Sequence, residues 1–202
     1  MKKKIFIIGA GGHAKTCIDV IESNNKFKVA YLVDKKSNKK IIFNHKIIKE
    51  SNFMKKEGNK KLNILIGIGQ IKNNNLRKNI FFRYKKFGCN FPNITSKFSY
   101  VSKNSLLKEG ILICHGVVIN AGVEIGLNCI INNQALIEHD ARVGNHCHIS
   151  TGSIINGGTI IGSNTFIGSG TTIKENIMIG NNCVIGAGLT IKKNIKSNTF
   201  LK

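Results

Sequence analysis

The sequence has few acidic residues and lacks the motifs of a nucleic-acid-binding protein. Its 202 residues include 10 Asp and Glu against 31 Lys and Arg, which gives a formal net charge of +21. Such an excess can indicate nucleic-acid binding. The lysines are scattered, however, and they form neither a continuous basic helix nor a base-reading motif, so we predict no nucleic-acid partner. The positive field instead favours small polyanionic ligands.

The sequence also lacks a CxxC pair and a long apolar run. None of its six cysteines is spaced as in a zinc or redox motif, so we expect no metal. The apolar run before Gly9 is too short for a signal segment or a membrane span. We therefore expect a cytoplasmic protein with free thiols and no membrane insertion.

A six-residue repeat dominates the second half of the chain. Every sixth residue from Val101 to Ile191 is aliphatic, in sixteen consecutive positions. The side chain four residues after each aliphatic position is usually small or apolar, and glycine recurs one residue after the aliphatic position. Neither a helix nor a plain strand has a period of six. We predict short parallel strands joined by tight corners, three to a turn of eighteen residues, with Cys129, Cys147 and Cys183 facing inward.

The first half alternates strands with helices, which favours a small parallel sheet in an α/β domain. The only proline, Pro92, lies where the two patterns meet, so we predict domains 1–92 and 93–202. The expected strands are residues 4–8, 28–33 and 62–66, and the expected helices are residues 14–23 and 71–87.

A glycine-rich turn follows the first strand and opens a helix. Gly9, Gly11 and Gly12 allow main-chain N–H groups to approach a phosphate at the start of a helix. Ninety residues are short for a full dinucleotide domain, so we favour the nucleotide part of a sugar substrate over a dinucleotide or a purely structural turn. Asp34, at the end of the second strand, suits either a ribose or base contact or a turn cap.

Of six histidines, His139 has the sequence context of a general base. It stands between Glu138 and Asp140, two of the five acids that follow Val101. A carboxylate beside an imidazole can fix its tautomer and stabilise its cation. A histidine on a repeat surface can equally have no role, and the neighbouring acids are what favour function here.

The whole chain resembles the family of sialic acid O-acetyltransferases and UDP-4-amino-sugar N-acetyltransferases. The similarity lies in the glycine turn of residues 9–14 and in residues 136–140. It implies a left-handed β-helix, acetyl-CoA as co-substrate, a nucleotide-sugar acceptor and a homotrimer with CoA held between neighbouring helices. It implies His139 as base with Asp140 in support. For CoA it implies His148, Gly168, Ser169, Gly186 and Ala187, and for the nucleotide sugar Gly11, Gly12, His13, Asp34, Lys35 and Gly67.

Several functions remain open at this level. We favour N-acetylation of a UDP-linked 4-amino sugar in surface glycan biosynthesis, with O-acetylation of a sialic-acid-type sugar as the alternative. A non-catalytic β-helix for assembly or binding is a third hypothesis. A metal-dependent enzyme of the carbonic anhydrase type, which needs three converging histidines, is a fourth. Relatives often end in a Gly-x-Pro-Ala-Lys segment, which the residues up to Lys202 lack, so we expect altered CoA contacts or reduced activity.

Overall fold

The computed structural model describes residues 2–58, 61–71 and 75–202. Its first part is an α/β unit in which a mixed five-stranded sheet carries helices on both faces. The strands lie in the order β3-β4-β2-β1-β5 and are parallel except for the β3–β4 pair. The elements are β1 (Lys3–Ile8), α1 (Gly12–Glu22), β2 (Phe27–Asp34), β3 (Ile41–Ile42), β4 (His45–Lys49), α2 (Glu50–Glu57), β5 (Ile64–Ile66) and α3 (Asn75–Lys86).

The central strand β1 shows why the sheet is covered on both faces. Ile5 and Ile7 pack toward α1, whereas Phe6 and Ile8 pack toward α2 and α3. All four side chains are at most 4% exposed, as expected for a parallel strand between two helical layers. The ring of Phe53 on α2 lies 5.3 Å from that of Phe6.

The sequence patterns located β1, β2, α1 and β5 to within two residues, but they missed β3, β4 and α2. The missed elements lie in a lysine-rich stretch whose apolar side chains follow neither a helical nor a strand period. The predicted helix 71–87 is α3, and its residues 72–74 lie outside the described residues.

The second part is a left-handed parallel β-helix, as the repeat and the resemblance predicted. Each two-residue strand pairs with the strand one coil further along, usually eighteen residues away; Ile119, for example, pairs with Ile137. The strands are β6 (Ile94–Thr95), β7 (Tyr100–Val101), β8 (Leu106–Leu107), β9 (Leu112–Ile113), β10 (Val118–Ile119), β11 (Glu124–Ile125), β12 (Ile130–Ile131), β13 (Leu136–Ile137), β14 (Arg142–Val143), β15 (His148–Ile149), β16 (Ile154–Ile155), β17 (Ile160–Ile161), β18 (Phe166–Ile167), β19 (Thr172–Ile173), β20 (Met178–Ile179), β21 (Val184–Ile185), β22 (Thr190–Ile191) and β23 (Phe200–Leu201).

These strands form three flat faces. We call them face 1 (β6, β9, β12, β15, β18, β21 and β23), face 2 (β7, β10, β13, β16, β19 and β22) and face 3 (β8, β11, β14, β17 and β20). The repeating aliphatic residues fill the interior, and Cys129, Cys147 and Cys183 are fully buried beside them as predicted. The six cysteines are all buried and free.

The glycines that recur one residue after the aliphatic positions lie against the next coil. Gly162 lies so close to the next coil that a Cβ atom there would be 2.5 Å from the carbonyl carbon of Gly180. These glycines therefore allow close stacking of coils. The left-handed bend lies two residues further on, where Asn, Asp or Gly adopts a positive φ, as at Asp140 (60°) and Asn164 (60°).

Face 1 is the surface onto which the α/β unit docks. Leu112 on this face and Ile18 of α1 belong to one buried cluster. Arg77 of α3 is 1% exposed and donates hydrogen bonds to the carbonyls of Ile66 and Ile68 (2.6 and 3.0 Å). Its Nε also donates to the carbonyl of Asn128 in the coil at 3.5 Å, so this buried cation links the end of β5 to the coil through main-chain carbonyls. Across the part of the chain that the structure describes, no helix has the length and apolar character needed to cross a bilayer.

Candidate active site

His139 occupies the corner between face 2 and face 3, after β13. Its Nδ1 lies 2.9 Å from Oδ2 of Asp140, and both side chains are mostly exposed. The Asp140 N–H donates to the carbonyl of Ala121, so the left-handed corner holds the carboxylate beside the ring. With Nδ1–H donated to Asp140, Nε2 keeps the free lone pair that a general base requires.

The neighbouring coil leaves room for the imidazole. A Cβ atom on Gly157 would lie 2.7 Å from Nε2 and Cε1 of His139, so only glycine allows the ring to lie flat across this corner. The result is an open concave site of about 540 Å³. It is lined by Glu138, His139, Asp140, Asn156, Gly157, Gly158, Glu175 and Asn176.

Three carboxylates share this concave site with His139. Glu138 and Asp140 flank His139 in the sequence. Glu175 has no such signal, because it lies 36 residues beyond His139 and therefore two coils along the same corner. Glu138 accepts a hydrogen bond from Asn120 at 2.7 Å. Glu175 also pairs with Lys174 at 3.4 Å. The lining itself holds three carboxylates and no lysine or arginine, in a chain whose charge is strongly positive, which favours an approaching cation.

A second cavity, of about 570 Å³, lies at the carboxyl ends of β1 and β2. Of the residues predicted for the nucleotide sugar, Asp34 and Lys35 line it, together with Gly9 of the glycine turn. Asp34 accepts hydrogen bonds from the N–H groups of Ala10, Lys36 and Ser37 (2.9, 2.8 and 2.8 Å), so it caps two turns at the mouth of this cavity. Sequence reasoning missed Glu50, Ile68 and Arg83, which also line it and come from elements without a motif.

The other residues predicted for the nucleotide sugar lie outside this lining. A Cβ atom on Gly67 would approach Ile7 to 2.5 Å, so Gly67 serves close packing. Gly11 and Gly12 are exposed, and added Cβ atoms there would contact nothing within 4 Å. His13 does not line the cavity, and its side chain lies against Gly69. Burial, with smaller effects from Arg77 and His148, lowers the pKa of His13 to about 3.

His148 lies on face 1, under the α/β unit. Its Nδ1 donates to the main-chain carbonyl of Gln70 at 2.6 Å, and its Nε2 accepts from Nδ2 of Asn132 at 3.3 Å. Burial lowers the pKa of His148 to about 4, although the bond to Gln70 opposes the shift. His148 is therefore a neutral imidazole with a fixed tautomer, and it belongs to a different face from His139.

The remaining CoA candidates lie at the corner between faces 1 and 2. Gly168 is a stacking glycine, because a Cβ atom there would lie 2.5 Å from the nitrogen of Ala187. Ser169 is exposed and its hydroxyl lies 2.9 Å from that of Ser150. This corner and that of His139 are the two edges of face 2, so one chain does not bring them together. Among the described residues, no group of three or more His, Cys, Asp or Glu could hold a metal ion.

Comparisons with known proteins agree with this architecture. Residues 4–84 match the PglD N-terminal domain, and residues 158–193 match the six-repeat bacterial transferase hexapeptide family. A comparison with curated sequences gave no significant match.

Several solved structures share the whole fold. A histidine-to-asparagine mutant of perosamine N-acetyltransferase from Caulobacter crescentus, in complex with CoA and GDP-perosamine, has 27% identity and a TM-score of 0.89, covering 98% of this chain and 92% of that chain. The acetyltransferase domain of PglB from Neisseria gonorrhoeae, with acetyl coenzyme A, has 22% identity and a TM-score of 0.89 (99% and 96% covered). WeeI from Acinetobacter baumannii has 19% identity and a TM-score of 0.88 (98% and 96%).

The two matched regions and the shared fold define the class of this protein. The chain belongs to the hexapeptide-repeat acyltransferases. Within that class, residues 4–84 are similar to the PglD N-terminal domain.

Proposed function

We propose that this chain is an acetyl-CoA-dependent N-acetyltransferase that acts on a nucleotide-linked amino sugar. The observation that carries the proposal is the pairing of His139 with Asp140 in an open, acidic concave site. The perosamine N-acetyltransferase, with CoA and GDP-perosamine bound, supports both substrates. In keeping with the sequence analysis, we propose that the acceptor is a UDP-linked 4-amino sugar and that the reaction takes place in the cytoplasm, where it serves the biosynthesis of a surface glycan. We also propose that the two domains are residues 1–92 and 93–202.

The mechanism assigns one task to each residue of the corner. The sugar ammonium first loses one proton to water, and the neutral amine then attacks the thioester carbonyl carbon of acetyl-CoA. Nε2 of His139 takes a second proton from the nitrogen as the C–N bond forms. Asp140 holds the ring through Nδ1–H and stabilises the imidazolium. Collapse of the tetrahedral intermediate breaks the C–S bond, and the imidazolium proton then neutralises the CoA thiolate.

The acidic surroundings of His139 favour an amine over a hydroxyl acceptor. A primary amine is mostly protonated at neutral pH, so it arrives as a cation, whereas a hydroxyl arrives neutral. Glu138, Asp140 and Glu175 would concentrate the cation at the corner. This observation ranks N-acetylation above sialic-acid-type O-acetylation.

A trimer would complete the site. His139 lies at one edge of face 2, and the CoA candidates Ser169 and Ala187 lie at the other. In a threefold assembly packed through this face, the His139 edge of one chain lies beside the CoA edge of its neighbour. We therefore propose a homotrimer with CoA between neighbouring helices, which light scattering of the purified protein would test.

The activity test measures CoA release from acetyl-CoA with a panel of acceptors. The panel contains a UDP-linked 4-amino sugar, its GDP-linked counterpart and the matching 4-hydroxy sugars. His139→Asn should lower kcat about a hundredfold or more with an unchanged melting temperature, because the side chain is 69% exposed. His45→Asn, a histidine far from the site, is the matched control. Absence of CoA release with every acceptor, or full activity of His139→Asn, would refute the proposal.

A further inference from the structure

The β3–β4 hairpin at the edge of the α/β sheet exposes an apolar tip. Ile41 pairs with Lys46 and Ile42 with His45, and the turn between them is Phe43–Asn44. Ile42 is 6% exposed and belongs to the core, whereas Ile41 and Phe43 are 62% and 57% exposed. The hairpin is thus anchored by one isoleucine while the other isoleucine and the phenylalanine point outward.

The backbone at the tip disfavours the residue found there. Phe43 and Asn44 have φ values of 43° and 64°, the left-handed pair of a two-residue hairpin turn. Asn and Gly adopt this conformation readily, but a bulky side chain does so at a cost. An aromatic ring that is mostly exposed gains little from folding in return, so the fold alone does not account for phenylalanine at this position.

Lysines flank this tip, and one acid, Glu22, contacts the hairpin through His45 at 2.8 Å. Lys40 and Lys46 flank it and are exposed, and Nζ of Lys15 on α1 lies 5.8 Å from the ring centre of Phe43. Lysines on an edge strand can serve simply to prevent strand pairing between molecules. That role explains the charges, but it does not explain two exposed apolar side chains among them.

We propose that this hairpin docks the protein onto an anionic lipid surface. Apolar side chains ringed by lysines match the boundary of such a bilayer, where the side chains enter the headgroup region and the ammonium groups meet lipid phosphates. The protein lies on the surface and does not span it. The inference is independent of the proposed catalysis, because the hairpin lines neither the His139 site nor the cavity at the ends of β1 and β2.

The test is co-sedimentation of the full chain with vesicles of phosphatidylglycerol and phosphatidylcholine, at low and high salt. We expect binding to the mixed vesicles and little to pure phosphatidylcholine. Phe43→Asn should weaken partitioning about tenfold, and Lys40→Gln with Lys46→Gln should weaken it about 25-fold, at roughly fivefold for each lysine. Phe43→Asn suits the turn conformation, so it should fold at least as well as the parent.

The matched control is Phe98→Asn on the coil. Phe98 is 62% exposed, and Nζ of Lys97 lies 4.8 Å from the centre of its ring. It is therefore an exposed aromatic side chain beside a lysine, like Phe43, but it lies outside the hairpin. Its loss should leave partitioning unchanged. Equal effects of the two substitutions, or no sedimentation with anionic vesicles, would overturn the proposal. So would a fall in oligomeric mass of Phe43→Asn by light scattering, since a second copy of the chain would then be the occupant.

Discussion

Replacing Gly157 with alanine tests the role of His139 without touching a charged residue. The new Cβ would lie 2.7 Å from the imidazole, and an ordinary contact needs at least about 3.4 Å, so the ring must move by about 0.7–1 Å. A misplacement of about 1 Å can cost on the order of a hundredfold in rate. We therefore expect kcat to fall about a hundredfold, or about 2.7 kcal/mol in activation free energy.

Stability should hardly change in this variant. The clash at Gly157 is with the end of one flexible side chain, which can swing into solvent because His139 is 69% exposed. Initial rates of CoA release and a thermal melt measure the two effects separately. In a His139→Ala background, Gly157→Ala should cause no further loss. A rate within twofold of the parent would refute the reasoning, and so would an equal loss in the His139→Ala background.

Three further predictions concern pH, coil stacking and acceptor charge. Burial lowers the pKa of His13 to about 3 and of His146 and His148 to about 4, so each gains a proton on unfolding between those values and about 6.5. The unfolding free energy should therefore decrease as the pH is lowered below 6.5, by about 1.4 kcal/mol per pH unit for each histidine. In urea titrations, His146→Asn should remove about a third of that slope. Gly162→Ala should destabilise the coil by about 3 kcal/mol or more, because its Cβ would strike main-chain atoms that cannot swing away. Glu175→Gln should raise KM for an amine acceptor severalfold with little change in kcat.

Each of these predictions has a control. The control for the pH slope is Gly157→Ala, which leaves the three buried histidines in place and should keep the slope of the parent. Gly162→Ala and Gly157→Ala form a contrasting pair, since the first clashes with backbone and the second with a side chain. For Glu175→Gln, a matching rise in KM with a hydroxyl acceptor would show that charge is not the cause.

The β-helix could be predicted from the sequence because its physical cause is local and repeated. An inward aliphatic residue every six positions leaves one register in which all of them face the interior. The structure buries them from Ile113 to Ile191 and half-buries Val101 and Leu107. The glycine turn after β1 could also be predicted from the sequence, since a strand, a tight turn and a helix follow one another within the chain. The segment that contains β3, β4 and α2 could not be predicted, because only a few of its side chains, such as Ile42 and Phe53, are core residues and they follow no regular spacing.

The sequence by itself placed His139 next to Asp140 within the repeat, and in the structure the pair lies on an outward corner of the coil. What the tertiary structure decided is everything that depends on distant contacts. Gly157 and Glu175 join His139 only because coils stack, and His13 and His148 become buried neutral groups only because the α/β unit covers face 1. Local patterns determine which side chains turn inward, whereas burial and proximity between distant segments depend on how the two halves pack.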